Sequence, residues 1–176
     1  MNHIIWVFIV SVSAAPAVAR DAERIVSLDG FGPVRISMTV PEAEAALKAK
    51  LNPFDPNDPA EHKECWLTER ADGSDPLVAY MVENSIVARI EISDPTVATE
   101  KGIKVGSTED QARKAYGPAL DISPHSGDYD FPHQGAYLTV YSLDKKKGVL
   151  FEVIEGKIRA LRTGTLPAIR YYEGCL

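Results

Sequence analysis

The sequence predicts an α+β fold of two tandem repeats, each a capped helix followed by a three-stranded antiparallel meander. Three observations predict it. Val34-Arg35-Ile36-Ser37-Met38-Thr39 is echoed 69 positions later by Ile103-Lys104-Val105-Gly106-Ser107-Thr108. Each Thr is followed three residues on by Glu42 or Gln111, the spacing of a capping box. There the hydroxyl accepts from a first-turn N–H while the acid or amide reaches back to the Thr N–H. Finally, Met81-Val82-Glu83-Asn84-Ser85-Ile86 is matched by Val153-Ile154-Glu155-Gly156-Lys157-Ile158 at an offset of 72, a hairpin in the same place of each half.

The first residues read as a signal peptide over 1–19. A short polar start leads into Ile4–Val10, then small residues ending Ala17-Val18-Ala19 before Arg20. The apolar run is shorter than the roughly 20 residues of a membrane span and contains Pro16. Removing it leaves 157 residues, enough for one compact domain. The first repeat is expected over 20–100 and the second, with a C-terminal tail, over 101–176.

Within the first repeat, Arg24–Leu28 is a possible short strand and Asp29-Gly30-Phe31-Gly32-Pro33 a turn cluster. Val40, Ala43, Leu47 and Leu51 share one helix face, Pro41 sits in the first turn, and Asn52-Pro53 ends the helix. The Pro-, Asp- and Asn-rich segment 52–61 reads as a loop. Strands follow at 64–68, 77–82 and 86–92, the last two joined by Glu83-Asn84-Ser85. Alternation in the third places Ile86, Ala88, Ile90 and Ile92 on the buried face and Arg89 and Glu91 outside.

In the second repeat the helix carries Ala112, Ala115 and Tyr116 and stops at Gly117-Pro118. A long loop precedes strands at 136–142, 148–154 and 157–163. Asp144-Lys145-Lys146-Lys147-Gly148 reads as a charged hairpin turn. One such repeat leaves apolar surface open, so two are expected to cover each other.

A Thr-capped helix with a meander, duplicated in an exported chain, resembles the tandem repeat of the secreted β-lactamase inhibitory proteins. Each half is similar to the small outer-membrane assembly lipoproteins. The resemblance is carried by Ile36–Ala43, Val105–Ala112 and the order of elements. It implies an exported module that presents a sheet and loops to another protein, without catalysis. The chain departs from both in having no lipidated Cys and no disulfide inside each unit.

Cys65 and Cys175 are the two cysteines, and in an oxidising compartment an even count reads as a disulfide. It would tie the tail to the first half, with one of Tyr171 and Tyr172 buried and the other exposed. Net charge is −6, against a nucleic-acid partner, which wants a basic stripe, and against an anionic membrane surface. Periplasmic or secreted localisation follows, with no membrane span after signal removal.

Chemistry concentrates in 123–135, Ser123-Pro124-His125-Ser126-Gly127-Asp128-Tyr129-Asp130-Phe131-Pro132-His133-Gln134-Gly135. Tyr129 and Phe131 are candidate aromatic anchors of a partner-binding loop, with Asp128, Asp130 and His133 around them. Its length favours a role beyond connection. Arg35 and Lys104 hold equivalent outward positions before the helices, either as solvated residues or as paired cationic contacts. No nucleophile elbow, Gly-rich phosphate loop, H-E-x-x-H or C-x-x-C is present. His62, beside Glu61 and Glu64, reads as a solvated loop histidine.

The expected function is therefore an exported, non-enzymatic binding module for a protein or envelope component, with enzyme inhibition as one form of that binding. No cofactor is expected. The alternatives are small-ligand binding between the two units, or a metal-assisted hydrolase using His125, Asp128, Asp130 and His133.

Overall fold

The computed structural model describes residues 24–58, 62–125, 135–171 and 174–175. The signal-peptide segment 1–19 lies outside them. In chain order the elements are β1 (Ile25–Ser27), β2 (Gly30–Phe31), β3 (Val34–Arg35), α1 (Val40–Leu47), β4 (Cys65–Thr68), β5 (Val78–Glu83), β6 (Ile86–Ile92) and β7 (Ala98–Thr99). There follow α2 (Glu109–Tyr116), β8 (Leu120–Pro124), β9 (Gly135–Tyr141), β10 (Lys147–Ile154) and β11 (Lys157–Thr165), with short 3-10 turns at Gly117–Ala119 and Ala168–Arg170. β4-β5-β6-β11-β10-β9-β8 form one seven-stranded sheet, antiparallel throughout. β3-β2-β1-β7 form a second, smaller sheet.

This corrects the predicted fold class. The described residues are mostly β, with two short helices and two sheets among them, and do not form a pair of helix-plus-three-strand repeats. The physical reason is coverage. A two-turn helix shields little of a seven-stranded sheet, so the small sheet supplies the rest of the cover. Val26, Phe31, Val34, Ile36, Val97 and Ile103 join Ala43, Leu47, Leu51 and Ala112 against Val78, Tyr80, Ile90, Ile92, Leu138, Phe151, Val153, Ile158 and Leu161. The 29–33 segment, read as a turn, contributes β2. At Gly30 (φ 143°) a Cβ would lie 2.1 Å from the Val34 carbonyl oxygen, so only glycine fits the approach of β2 to β3. Residues 120–124, read as loop, form β8, so the second half places four strands in the large sheet rather than three.

What the two predicted units share is local. Thr39 and Thr108 are both N-caps of capping boxes, accepting from the N–H of Glu42 and Gln111 respectively. Before each cap the chain turns through a positive φ, 76° at Ser37 and 87° at Gly106. The N–H groups of those two residues donate to Val87 and Ile158 in the large sheet. Each helix is thus aimed by its cap and pinned by its entry turn. Thr39→Ala is expected to lower stability by about 1 kcal/mol, because an orphan first-turn N–H loses its acceptor. Chemical denaturation should show a lower midpoint at unchanged slope.

Alternation in β6 holds at Ile90 and Ile92 but fails at Ala88. The register of β5 on β6 shifts between Met81, paired with Arg89, and Val82, paired with Val87, which leaves Ala88 as an extra residue. That bulge puts Val87 in the main core and Ala88 in a separate cluster with Cys65, Met81 and Ala168 on the opposite face. Arg89, expected outside, is only 2% exposed.

Candidate functional site

The face of the large sheet turned away from the helices is covered at its centre by the C-terminal tail. β10 and β11 bring Gly148 and Gly164 directly opposite each other. An added Cβ at either would sit 2.7 Å from the side chain of Ile169. The two glycines therefore form a notch that the tail's isoleucine fills, and Ile169 is fully buried there with Tyr137 and Leu150. The tail is fixed again by a disulfide between Cys65 and Cys175, whose Cα atoms are 5.7 Å apart. Tyr171, between these anchors, is half-buried, and Tyr172 lies outside the described residues.

Beneath the tail lies a buried chain of charges. The Arg89 guanidinium donates through Nη1 to the carbonyls of Ala168 (3.1 Å) and Tyr171 (2.6 Å). Its Nη2 lies 3.2 Å from Glu91. Arg162 bridges Glu91 (3.2 Å) to Glu152 (3.2 Å) and reaches the Tyr171 carbonyl at 3.4 Å. Glu152 then contacts the His125 ring through Nε2 at 2.7 Å, and that ring lies 4.6 Å from the ring of Tyr137. Burial pulls the Arg89 guanidinium down to about 10, opposed by the neighbouring Glu91 carboxylate, so it stays charged at neutral pH.

Cross-strand register makes this arrangement. Arg162 on β11 faces Glu91 on β6, and Glu152 on β10 faces Tyr137 on β9. Glu91 is shared between Arg89 and Arg162 and Glu152 between Arg162 and the His125 ring, and both arginines also hold tail carbonyls. Chemically this is a scaffold whose groups are engaged with one another and with the tail.

Beside the tail, Ser123, Pro124, Tyr137, Thr139, Leu150 and Arg170 line a cavity of about 250 Å3. Arg170 bonds the Tyr141 hydroxyl and lies 3.5 Å from Asp121, forming one wall. β8 runs along the cavity as the last strand of the sheet. The His125 N–H donates to Gly135, so bonded residues alternate and the outward-pointing groups are those of Leu120, Ile122 and Pro124. The Leu120 N–H is taken by Gly117 and proline has none, which leaves the Ile122 N–H as the free donor of this edge among the described residues. Ile122 is 42% exposed.

Of the residues singled out from sequence, Asp128, Tyr129, Asp130, Phe131 and His133 lie outside the described residues. The described roots of their loop, Ser123, Pro124 and His125, meet the cavity and the charge chain. Arg35 and Lys104 are exposed but differently engaged. Arg35 turns its guanidinium onto the carbonyls of Gly32 (2.7 Å) and Val34 (3.3 Å), closing its own turn. Lys104 carries a bridge to Ala98 at the end of β7. His62 is exposed, 3.6 Å from Glu64. No group of three or more metal-ligating side chains occurs among the described residues. Sequence reasoning missed Arg89, Arg162 and Glu152. The available signal was glycine at positions 148 and 164, inside strands, where it marks close approach of another backbone or side chain.

No protein-family model matches the chain, and no curated protein sequence matches it. Among solved structures, the uncharacterized protein yfeY from Escherichia coli is similar over 80% of this chain and 99% of its own, at 12% identity and a TM-score of 0.47. A likeness that distant supports no inference about either protein's role.

Proposed function

We propose that this protein is an exported, periplasmic or secreted, non-enzymatic module that binds an extended segment of another protein by strand addition at β8. The observation that carries the reading is the outer edge of β8, which pairs with no other strand among the described residues, beside the cavity of about 250 Å3. An added strand gains main-chain hydrogen bonds from the edge, and one of its alternate side chains gains specificity from a neighbouring pocket. Proline at 124 and the acid at Asp121 keep the edge short, which suits selective pairing and guards against indiscriminate aggregation. The tail and its charge chain serve as a rigid back wall. The disulfide fits an oxidising compartment, and among the described residues no helix is long and apolar enough to cross a membrane.

The test is panning of displayed random peptides against the full chain and against Ile122→Pro, which removes the outward donor at an edge position where proline is tolerated. Peptides enriched on the unaltered protein should lose at least tenfold in affinity on the variant, about 1.4 kcal/mol. Amide exchange at Ile122 should slow when they bind. Selected peptides that hold the variant equally well, or that leave Ile122 exchange unchanged, would remove β8 as the binding edge.

A further inference from the structure

We infer that a second cavity, on the helix side of the large sheet and away from β8, binds a small organic carboxylate with an apolar body. It lies between the β2–β3 turn, the end of α1 and β5, with a volume of about 450 Å3, within the range of small-molecule sites. Phe31, Pro33, Ala46 and Leu47 give it apolar walls, while Arg24, Lys48, Arg70, Asp75 and Tyr80 bring polar groups. Of the three cations that line it, Arg24 is paired with Asp75 and Asp94 and Arg70 with Asp72, which leaves Lys48 as the one without an acid of its own among the described residues.

Several of the donors have nothing of their own to bind. Tyr80 is 1% exposed, and what stays accessible includes its hydroxyl, which borders the cavity and makes no hydrogen bond to any described residue. An oxygen acceptor entering the cavity would take the hydrogen bond that this hydroxyl otherwise gives to water. Burial pushes the Tyr80 phenol up to about 12, with Asp75 adding to the rise, so it remains a donor at any ordinary pH. Arg70 commits Nε and Nη2 to Asp72 at 3.1 and 2.7 Å, leaving Nη1. Arg24 is held by Asp75 and Asp94, with its guanidinium carbon 5.9 Å from the Phe31 ring centre, and its Nε is buried without a hydrogen-bond partner.

Lys48 stands at the rim. It occupies the left-handed cap of α1 at φ 53°, where glycine or asparagine would be less strained, and its ammonium group has no hydrogen-bond partner among the described residues. A carboxylate placed between Tyr80, Arg70 and Lys48 would accept from a phenol, a guanidinium and an ammonium. Its apolar body would lie on Phe31 and Leu47. Charge-assisted bonds of this kind are the strong ones, and the planar guanidinium suits a carboxylate.

Calorimetric titration of the full chain with phenylacetate, hexanoate and the neutral phenylacetamide tests this. At least one carboxylate should saturate a single site at millimolar concentration or below, and phenylacetamide should bind at least tenfold more weakly. Tyr80→Phe should weaken the carboxylate about threefold to tenfold, the worth of one hydrogen bond. Its melting temperature should stay within a degree or two of the unaltered protein, because the lost hydroxyl had no internal partner. Lys48→Met should weaken it about tenfold and flatten the salt dependence. Absence of saturation by both carboxylates, equal binding of the amide, or affinity unchanged in both variants would overturn the assignment. Failure here leaves the β8 reading untouched, since Ile122 takes no part in this cavity.

Discussion

Arg89→Ala is expected to lower the unfolding free energy by about 3 to 5 kcal/mol, the cost of breaking a buried ion pair by removing one partner. The size follows from what the guanidinium holds. Arg89 is 2% exposed, and its Nη1 donates to two tail carbonyls that have turned away from solvent. Removing it leaves the Ala168 carbonyl to the Tyr171 N–H alone, the Tyr171 carbonyl to Arg162 alone at 3.4 Å, and Glu91 to Arg162 alone, 3.2 Å away. It also deletes a stem packed in the tail-side cluster, so part of the loss is packing. Arg89→Met keeps most of the stem and should recover a minor share. Arg89→Met with Glu91→Gln should recover more, because a neutral amide is cheaper to leave half-partnered than a carboxylate. Urea denaturation under non-oxidising, non-reducing conditions reads all three. A loss below about 1 kcal/mol for the alanine variant would mean that the tail carbonyls find other donors or water.

Position 89 also marks where the sequence stops being legible. Alternation over 86–92 correctly made a strand and correctly placed Ile90 and Ile92 in the core, but the strand is buried on both faces rather than one. Alternation put Arg89 in solvent because period-2 reasoning assumes no extra residue and nothing lying on the polar face. Both assumptions fail at once here. The bulge at Ala88 shifts the phase, and the tail, more than 75 residues away in the chain, supplies the cover. Nothing local to β6 encodes either event.

The helix caps were legible for the opposite reason. A capping box is complete within four residues, so Thr39 with Glu42 and Thr108 with Gln111 carry their own geometry. The step from two similar capped segments to two equal repeats was the error. It needed the strand count and the cover of each half, which depend on long-range pairing. β8 was hidden because Leu120-Asp121-Ile122-Ser123-Pro124 is a short, polar edge strand, with too few apolar positions to set a period. The two-residue strands β2, β3 and β7 exist only through their neighbours. For the proposed binding edge, composition singled out residues 123–135, which share only Ser123 and Pro124 with β8. Which backbone groups face outward came from the register of β8 on β9.

Replacing both cysteines, Cys65→Ala with Cys175→Ala, is expected to cost up to about 4.7 kcal/mol, the chain-entropy value for a loop of about 100 residues. The bond joins residues 110 positions apart and so restricts most of the unfolded chain. Its loss should also alter what Arg89 is worth. With the far end untethered, the tail is held by Ile169 in its glycine notch and by the carbonyl bonds to Arg89 and Arg162. If those contacts hold the tail only while the disulfide limits its freedom, Arg89→Ala should cost less in the cysteine-free background than in the native one. The difference should exceed the roughly 0.5 kcal/mol within which independent sites add. Additivity inside that margin would mean that the notch seats the tail unaided, and that the disulfide acts on the unfolded chain alone. Limited proteolysis separates the two cases independently. A tail that leaves the sheet should be cut after Arg170 in the cysteine-free protein well before the core is touched, whereas a seated tail should be cut no faster than the rest.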